Sequence, residues 1–183
     1  MTQARAVCRV GDREILTVNA ALGHRPFDRR GRFQPFPTDV PPPEACPPRQ
    51  HQHDAADRIG ARFEERLAVG RPWEELDGTT TDGRTVLWAR LRDVGAELDS
   101  AGLAILGDYV PFGVGQALGI RGGGNSPDNT LRIVELASTD WVLLDISVHA
   151  VARGFGHGLA HMFARDGTLL ATASQSCIVR YWN

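Results

Sequence analysis

Residues 97–118 read ELDSAGLAILGDYVPFGVGQAL, and this stretch decides the fold. Its apolar side chains are Leu98, Ala101, Leu103, Ala104, Ile105, Leu106, Tyr109 and Val110. They are too widely distributed for one surface stripe, and a helix that is apolar nearly all round is a buried helix. The stretch therefore predicts one buried helix with a carboxylate, Asp108, inside it.

Strand-like runs flank this helix on both sides. Before it, residues 57–76 hold short apolar groups amid charge, and Thr85–Asp93 alternates as a strand. After it come four runs rich in β-branched and small residues: Thr130–Leu136, Trp141–Ala152, Phe155–Phe163 and Thr168–Tyr181. Arg165–Gly167 is a hairpin turn between the last two. Residues 57–183 are thus predicted to form one α+β domain, a long antiparallel sheet around a buried helix.

The first 56 residues differ from the rest of the chain in sequence pattern and in proline content. Residues 4–22 alternate around a turn at Gly11–Asp12, which predicts a hairpin that cannot bury its apolar side chains alone. Seven of the eleven prolines lie between Pro35 and Pro48. Proline fixes φ and removes a donor, so residues 35–56 are predicted to be a linker or an extended surface crossing. The expected divisions are therefore 1–34, 35–56 and 57–183.

Composition excludes several classes of function. The net charge is -2, and all 20 basic residues are arginine, so no basic field is left for nucleic acid and no mechanism can use lysine. No apolar run is long enough to cross a bilayer, and charges occupy the place of a signal-peptide core. Cys8, Cys46 and Cys177 are odd in number and far apart, which is typical of a reducing cytoplasm rather than a disulfide or zinc framework.

Three polar residues stand out in otherwise apolar or turn-like surroundings. A carboxylate at Asp108 is costly on a buried helix unless it faces a cleft, although a kink before Pro111 would also expose it to water. Both interpretations of Asp108 stay open. Ser126, in GNSPD, is more typical of a turn than of a nucleophilic elbow. The pattern around Gln175 favours a solvent-facing strand residue over one that orients a water.

Other candidate sites are weaker. Gly113-Val114-Gly115 lacks the spacing of a dinucleotide loop, and the glycines at 122–124 are expected to let the chain leave the helix with positive φ. The sequence His51-Gln52-His53-Asp54 lies where nothing fixes metal geometry. The histidines at 157 and 161 sit among glycines that disfavour a zinc-binding helix, so partly solvated strand histidines are expected.

Four ordered stretches carry a resemblance to a known family. They are Asp108–Pro111, Ser126–Thr130, Trp141–Leu144, and Gly154–Gly156 followed by DGTLLATASQ at 166–175. In this order and spacing they resemble the C-terminal half of the acyl-CoA thioesterase II family, whose members carry two hotdog domains in tandem. Residues 57–183 resemble a complete hotdog, and residues 1–34 resemble a strands-only remnant of the first one.

The resemblance implies an activity and a site. It implies hydrolysis of acyl-CoA thioesters to free fatty acid and CoA, in fatty acid metabolism, without metal or other cofactor. The family's water-activating residues fall on Asp108, Ser126 and Gln175, and Asn129 stands where some relatives have histidine. The alternative is a non-catalytic acyl-CoA-binding or assembly module, since a hotdog groove is usually completed by a second hotdog.

The N-terminal hairpin also predicts assembly. Residues 4–34 are expected to extend one edge of the complete hotdog's sheet, and the exposed apolar face of the hairpin to bury against a second chain. We therefore expect a homodimer or higher homo-oligomer.

Overall fold

A computed structural model describes residues 1–49, 59–93 and 98–182, and the chain divides into two compact units, residues 1–33 and 34–183. In the first unit, β1 (Thr2–Val10) and β2 (Arg13–Leu22) pair antiparallel around Gly11, whose φ is 59°. A left-handed residue at such a turn favours glycine. The predicted hairpin is present.

The second unit contains a six-stranded antiparallel sheet. Its strands are β3 (Phe63–Val69), β4 (Arg84–Leu91), β5 (Gly122–Ile133), β6 (Val142–Ala152), β7 (Phe155–Ala164) and β8 (Leu169–Tyr181). They lie in the order β3-β4-β6-β7-β8-β5, so β3 and β5 are the two edges. Single 3₁₀ turns occupy Pro43–Ala45, Ile59–Arg62 and Trp73–Glu75.

The helical segment packs on one face of this sheet. It consists of α1 (Ser100–Leu106), a 3₁₀ turn (Gly107–Tyr109) and α2 (Val110–Leu118). The carboxylate of Asp99 caps α1 by accepting from the backbone N–H of Gly102 at 2.9 Å. Leu103, Leu106, Val110 and Val114 pack into the main core with the inward-facing residues of the sheet. This is the hotdog fold, and the α+β prediction is confirmed.

The opposite face of the sheet is also covered. A second core joins Val86, Trp88, Trp141, Leu143 and Phe163 to residues of the proline-rich segment. Trp88 donates its indole N–H to the carbonyl of Pro41 at 2.9 Å, and the rings of Phe36 and Phe163 meet edge to face at 5.5 Å. The described part of the proline-rich segment, residues 34–49, therefore packs on the outer face of the sheet.

One expectation is wrong. Gly122–Gly124 open strand β5, and none has positive φ; the chain leaves the helix at Gly119, with φ 65°. A Cβ on Gly122 would lie 2.2 Å from the carbonyl oxygen of Arg180, so close backbone approach explains that glycine. The hairpin of residues 4–22 forms a two-stranded sheet of its own.

Candidate active site

Three separate elements bring Asp108, Ser126 and Gln175 into mutual hydrogen-bond contact. Ser126 donates its hydroxyl to Asp108 Oδ1 at 2.9 Å. Gln175 Nε2 donates to the same carboxylate oxygen and, at 2.7 Å, to Ser126 Oγ. One carboxylate oxygen thus receives two side-chain donors, while the serine hydroxyl both accepts and donates.

Asp108 lies at the break between α1 and α2. Its φ and ψ of -90° and 27° are not helical. Pro111, in the first turn of α2, lacks the N–H that would continue the α-helical ladder back to Gly107, and this loss accounts for a break at that place. The side chain is exposed. Both interpretations of Asp108 therefore describe the structure: it marks a kink open to water, and it joins a polar cluster.

A bulge in β5 sets the direction of the Ser126 side chain. The pairing with β8 shifts by one residue between Asn125, opposite Ile178, and Asp128, opposite Ser176. An extra residue switches which side chains face the helix, and bulges are frequent beside functional sites. Pro127 is tolerated in the bulge because β5 is an edge strand. The serine expected in a turn is therefore a strand residue held against Asp108.

Gln175 is buried, which corrects the solvent-facing interpretation favoured by its local pattern. Only 4% of its surface is exposed, and it lies on the helix-facing side of β8 with Ala173 and Cys177. Its Oε1 is buried and has no hydrogen-bond partner in the described residues. An unsatisfied buried polar atom costs about 1–3 kcal/mol, so stability alone does not explain an amide here.

A groove of about 220 Å³ opens beside Asp108. Its described lining residues are Arg49, Gly60, Glu65, Asp108, Tyr109 and Phe112. Glu65, on the edge strand β3, is only 2% exposed and accepts hydrogen bonds from the Tyr109 hydroxyl and the Arg49 guanidinium. Burial, followed by the negative charge of Glu65, raises the pKa of Tyr109. The phenol therefore stays protonated and remains a donor.

The sequence predictions include neither Glu65 nor Arg49. The sequence does contain a signal for Glu65. Phe63, Glu65 and Leu67 share one face of β3, so a carboxylate lies between two apolar side chains on that face. Nothing local marks Arg49, which reaches Glu65 across 16 residues.

The remaining candidates form no site within the described chain. His157 and His161 lie on strand β7, as expected, where His157 Nδ1 is 3.0 Å from Ser176 Oγ. His51–Asp54 lie outside the described residues. Among the residues that are described, no group of three potential metal ligands occurs, and no helix is long and apolar enough to span a membrane. Gly113 and Gly115 lie inside α2, not in a loop after a strand.

Comparison with known proteins identifies the family. The model of the acyl-CoA thioesterase C-terminal domain matches residues 42–179. A candidate thioesterase from Novosphingobium aromaticivorans is 36% identical and superposes with a TM-score of 0.83, covering 97% of this chain and 67% of that one. No curated protein gives a match.

Two more distant structures share the fold. A hot dog protein of unknown function from Alicyclobacillus acidocaldarius is 22% identical, with a TM-score of 0.82 over 98% of this chain and 67% of its own. The acyl-CoA thioesterase II of Mycobacterium marinum is 19% identical, with a TM-score of 0.66 over 98% and 68%. With a family model that spans most of its length, the chain belongs to the acyl-CoA thioesterase C-terminal domain family.

Proposed function

We propose that this protein hydrolyses acyl-CoA thioesters to the free acid and CoA, with Asp108, Ser126 and Gln175 as the water-activating residues. The observation that carries the proposal is the hydrogen-bonded cluster of these three side chains beside a groove, in a member of a thioesterase family. Gln175 supports it further, since its buried and partly unsatisfied amide has no evident structural purpose.

The chemistry needs one base and two positioning groups. A water attacks the thioester carbonyl carbon while Asp108 accepts its proton, and the tetrahedral intermediate expels CoA as the C–S bond breaks. The proton returns from Asp108 to the departing thiolate, so the products are a carboxylic acid and a thiol. A positioned general base contributes roughly 10²–10⁴-fold to such a step.

Ser126 and Gln175 act on geometry in this scheme. Both donate towards Asp108 Oδ1, which fixes the carboxylate and leaves Oδ2 without a side-chain partner in the described residues. A developing oxyanion in this scheme needs preorganised N–H donors, of the kind found at a helix N-terminus. No acyl-serine intermediate is needed.

The test is the substitution Asp108→Asn, which keeps the volume and removes the base. Release of CoA thiol from butyryl-CoA and octanoyl-CoA is expected to fall by about 10²–10⁴-fold. Asp77→Asn, at an exposed aspartate that accepts from Thr79 and Arg71, is the matched control and should retain activity. Unchanged hydrolysis by Asp108→Asn would exclude the proposed base. Tight binding of acyl-CoA without turnover in the unmodified protein would favour the binding-module alternative.

We also propose that copies of the chain associate. The first unit is a hairpin, and six of its apolar side chains are between 39% and 68% exposed: Val7, Val10, Ile15, Leu16, Val18 and Leu22. Exposed apolar surface of this extent is typical of interaction sites. Light scattering at micromolar concentration should give at least a dimer, and a monomer would contradict the proposal.

A cytoplasmic location is proposed from the cysteines. Cys8, Cys46 and Cys177 are all unpaired, and Cys46 and Cys177 are buried. Free cysteines are typical of reducing compartments. Fractionation of cells that express the tagged protein should recover it with cytoplasmic markers.

A further inference from the structure

The helix kink that carries Asp108 is also held from strand β3. Tyr109, the next residue along the chain, donates its hydroxyl to the carboxylate of Glu65. Asp108 itself accepts from Ser126 on β5 and from Gln175 on β8. Because β3 lies at one end of the six-stranded sheet and β8 and β5 lie at the other, two consecutive residues of the kink are bonded to opposite ends of the sheet.

The kink lacks part of the regular helical hydrogen bonding. Asp108 departs from helical φ and ψ, and Pro111 has no N–H to give to the helical ladder. The side chain of Tyr109, at the N-terminal end of α2, makes no capping bond to that helix. Side-chain bonds to the surrounding strands therefore contribute to the position of this turn.

Glu65 is a fixed acceptor for the Tyr109 hydroxyl. Its side chain is fully buried, and Arg49 is among its partners. The Arg49 guanidinium lies 4.0 Å from the ring centroid of Phe112, in the first turn of α2. The backbone N–H of Arg49 donates to the carbonyl of Glu65 at 2.9 Å. The carboxylate is thus immobilised by its own strand and by an arginine that is itself held in place.

Stability alone does not explain a carboxylate at residue 65 or a hydroxyl at residue 109. Burial of an ion pair is costly, and apolar side chains of similar volume often give an equally or more stable protein. The neighbours of Glu65 on the same face of β3, Phe63 and Leu67, are apolar. The ring of Tyr109 packs against the main core, as a phenylalanine ring could. The polar pair therefore indicates a role at the kink.

We propose that Tyr109 is a positioning residue, whose bond to Glu65 fixes the helix kink and holds the Asp108 carboxylate in the orientation that activates water. In this role the phenol acts through Asp108 and not on the substrate. A displacement of about 1 Å at a reacting group can lower a rate by about 10²-fold, so a bond that restrains the kink affects the chemical step. The proposal rests on the proposed hydrolysis, because it concerns the base of that reaction.

The first experiment is Tyr109→Phe, which removes the hydroxyl and keeps the ring. For butyryl-CoA, kcat should fall roughly tenfold while KM stays within about twofold, because the base is less well aligned and the substrate contacts are retained. Tyr181→Phe makes the same change at the other tyrosine of the chain, which is 70% exposed, and should leave both constants unchanged. An unchanged kcat in Tyr109→Phe, or a rise in KM alone, would overturn the proposal.

The acceptor provides a second test. Glu65→Gln keeps an oxygen that can accept from the Tyr109 hydroxyl and should retain most of kcat, whereas Glu65→Leu should lose as much as Tyr109→Phe. The double variant Tyr109→Phe/Glu65→Leu should lose no more than either single variant, since the two groups form one bond. Additive losses would contradict the proposal. Should Tyr109→Phe fail to fold because Glu65 loses a donor, Tyr109→Phe/Glu65→Gln neutralises the carboxylate and carries the same expectation.

A general loss of stability is controlled by Phe36→Ala. This substitution removes ring contacts on the outer face of the sheet, away from the helix, and should keep kcat. Denaturant melts give the stability of each variant. A kcat that falls equally in Phe36→Ala and Tyr109→Phe would assign Tyr109 a structural role only and would overturn the proposal.

Amide hydrogen exchange separates this proposal from the hydrolysis, because it needs no substrate. In Tyr109→Phe the amides of residues 106–112 should exchange roughly tenfold faster, while those of β6 and β7 keep their rates. Faster exchange in a protein that hydrolyses no acyl-CoA would retain the bond's effect on the kink and remove the proposed function. Hydrolysis with unchanged kcat and unchanged exchange would do the opposite. Faster exchange with an unchanged kcat would also overturn the positioning role.

Discussion

Gln175 Nε2 donates a hydrogen bond to Asp108 Oδ1 and so joins the last strand of the sheet to the helix kink 67 residues earlier. The same amide nitrogen donates to Ser126 Oγ at 2.7 Å. One buried side chain thus aligns the two other members of the candidate site. Because the amide is neutral, it does this without bringing a second charge to the carboxylate.

The hydroxyl of Ser126 is expected to matter more than its size. Ser126→Ala removes a donor to a carboxylate, and a hydrogen bond of this kind contributes about 1.5–3 kcal/mol, so kcat/KM for thioester hydrolysis should fall roughly tenfold or more. Ser126→Thr keeps the hydroxyl and should retain most activity. Ser176→Ala, at a serine that contacts His157, is the control and should have little effect. Equal activities for the alanine and threonine variants would argue against a role for the hydroxyl.

A substitution at Gln175 is expected to lower the activity of the protein without a large loss of stability. Gln175→Leu relieves the unpartnered Oε1 but also loses the two bonds of Nε2, whose acceptors Asp108 and Ser126 are exposed and can bond water instead. The free energy of unfolding should therefore change by less than about 2 kcal/mol, while hydrolysis falls at least tenfold. Gln116 is the matched comparison, because it is also 4% exposed but bonds the backbone of Arg71 through both amide atoms. Gln116→Leu should lower the unfolding free energy by about 1–3 kcal/mol. Denaturant melts and thiol-release assays give both quantities, and a large destabilisation by Gln175→Leu would assign that residue a structural role.

The elements of the fold could be predicted from apolar periodicity. The dense apolar residues at 98–110 indicated a buried helix, and the last three strands lie within three residues of their predicted bounds. The error at Gly122–Gly124 had a physical cause, because glycine permits both left-handed turns and close strand approach. Only the closeness of the Arg180 carbonyl oxygen to Gly122 distinguishes the two.

The residues of the candidate site were harder to predict from the local sequence pattern than the elements of the fold. Gln175 looks like a solvent-facing residue between Ser174 and Ser176, and its burial follows only from the packing of β8 against the helix. The direction of Ser126 depends on a bulge, which a one-residue register shift creates and a single sequence does not display. The resemblance placed both residues at the site, where periodicity alone placed neither.

The covering of the outer face by the proline-rich segment can be tested through Phe36. Its ring contacts those of Trp88 and Phe163, so Phe36→Ala should lower the free energy of unfolding by about 1–3 kcal/mol. Hydrolysis should change less than twofold, because this contact lies on the face of the sheet opposite the helix. Phe33, which is 96% exposed, is the control, and Phe33→Ala should leave the stability unchanged. Equal stabilities for the two variants would show that the segment does not pack on the sheet in solution.

The stability of the fold is expected to depend on pH through His161. Burial lowers the pKa of this imidazole from its ordinary value of 6.5, and the opposing effect of Asp145 across the β6–β7 pair is smaller. The folded state therefore binds the proton less readily than the unfolded chain, and the unfolded chain holds more protons between the lowered pKa and 6.5. Stability contributed by neutral His161 is fully present above pH 6.5 and is lost as the pH falls towards the folded-state pKa.

Thermal melts from pH 8 to pH 5 provide the measurement for His161. The melting temperature should fall as the pH decreases below about 6.5, and His161→Gln should make that decrease smaller because glutamine does not titrate. His149→Gln, at an exposed histidine on the neighbouring strand β6, is the matched control and should keep the slope. A His161→Gln profile parallel to that of the unmodified protein would mean that other groups carry the pH dependence, since removal of a titrating group with a shifted pKa must change the slope.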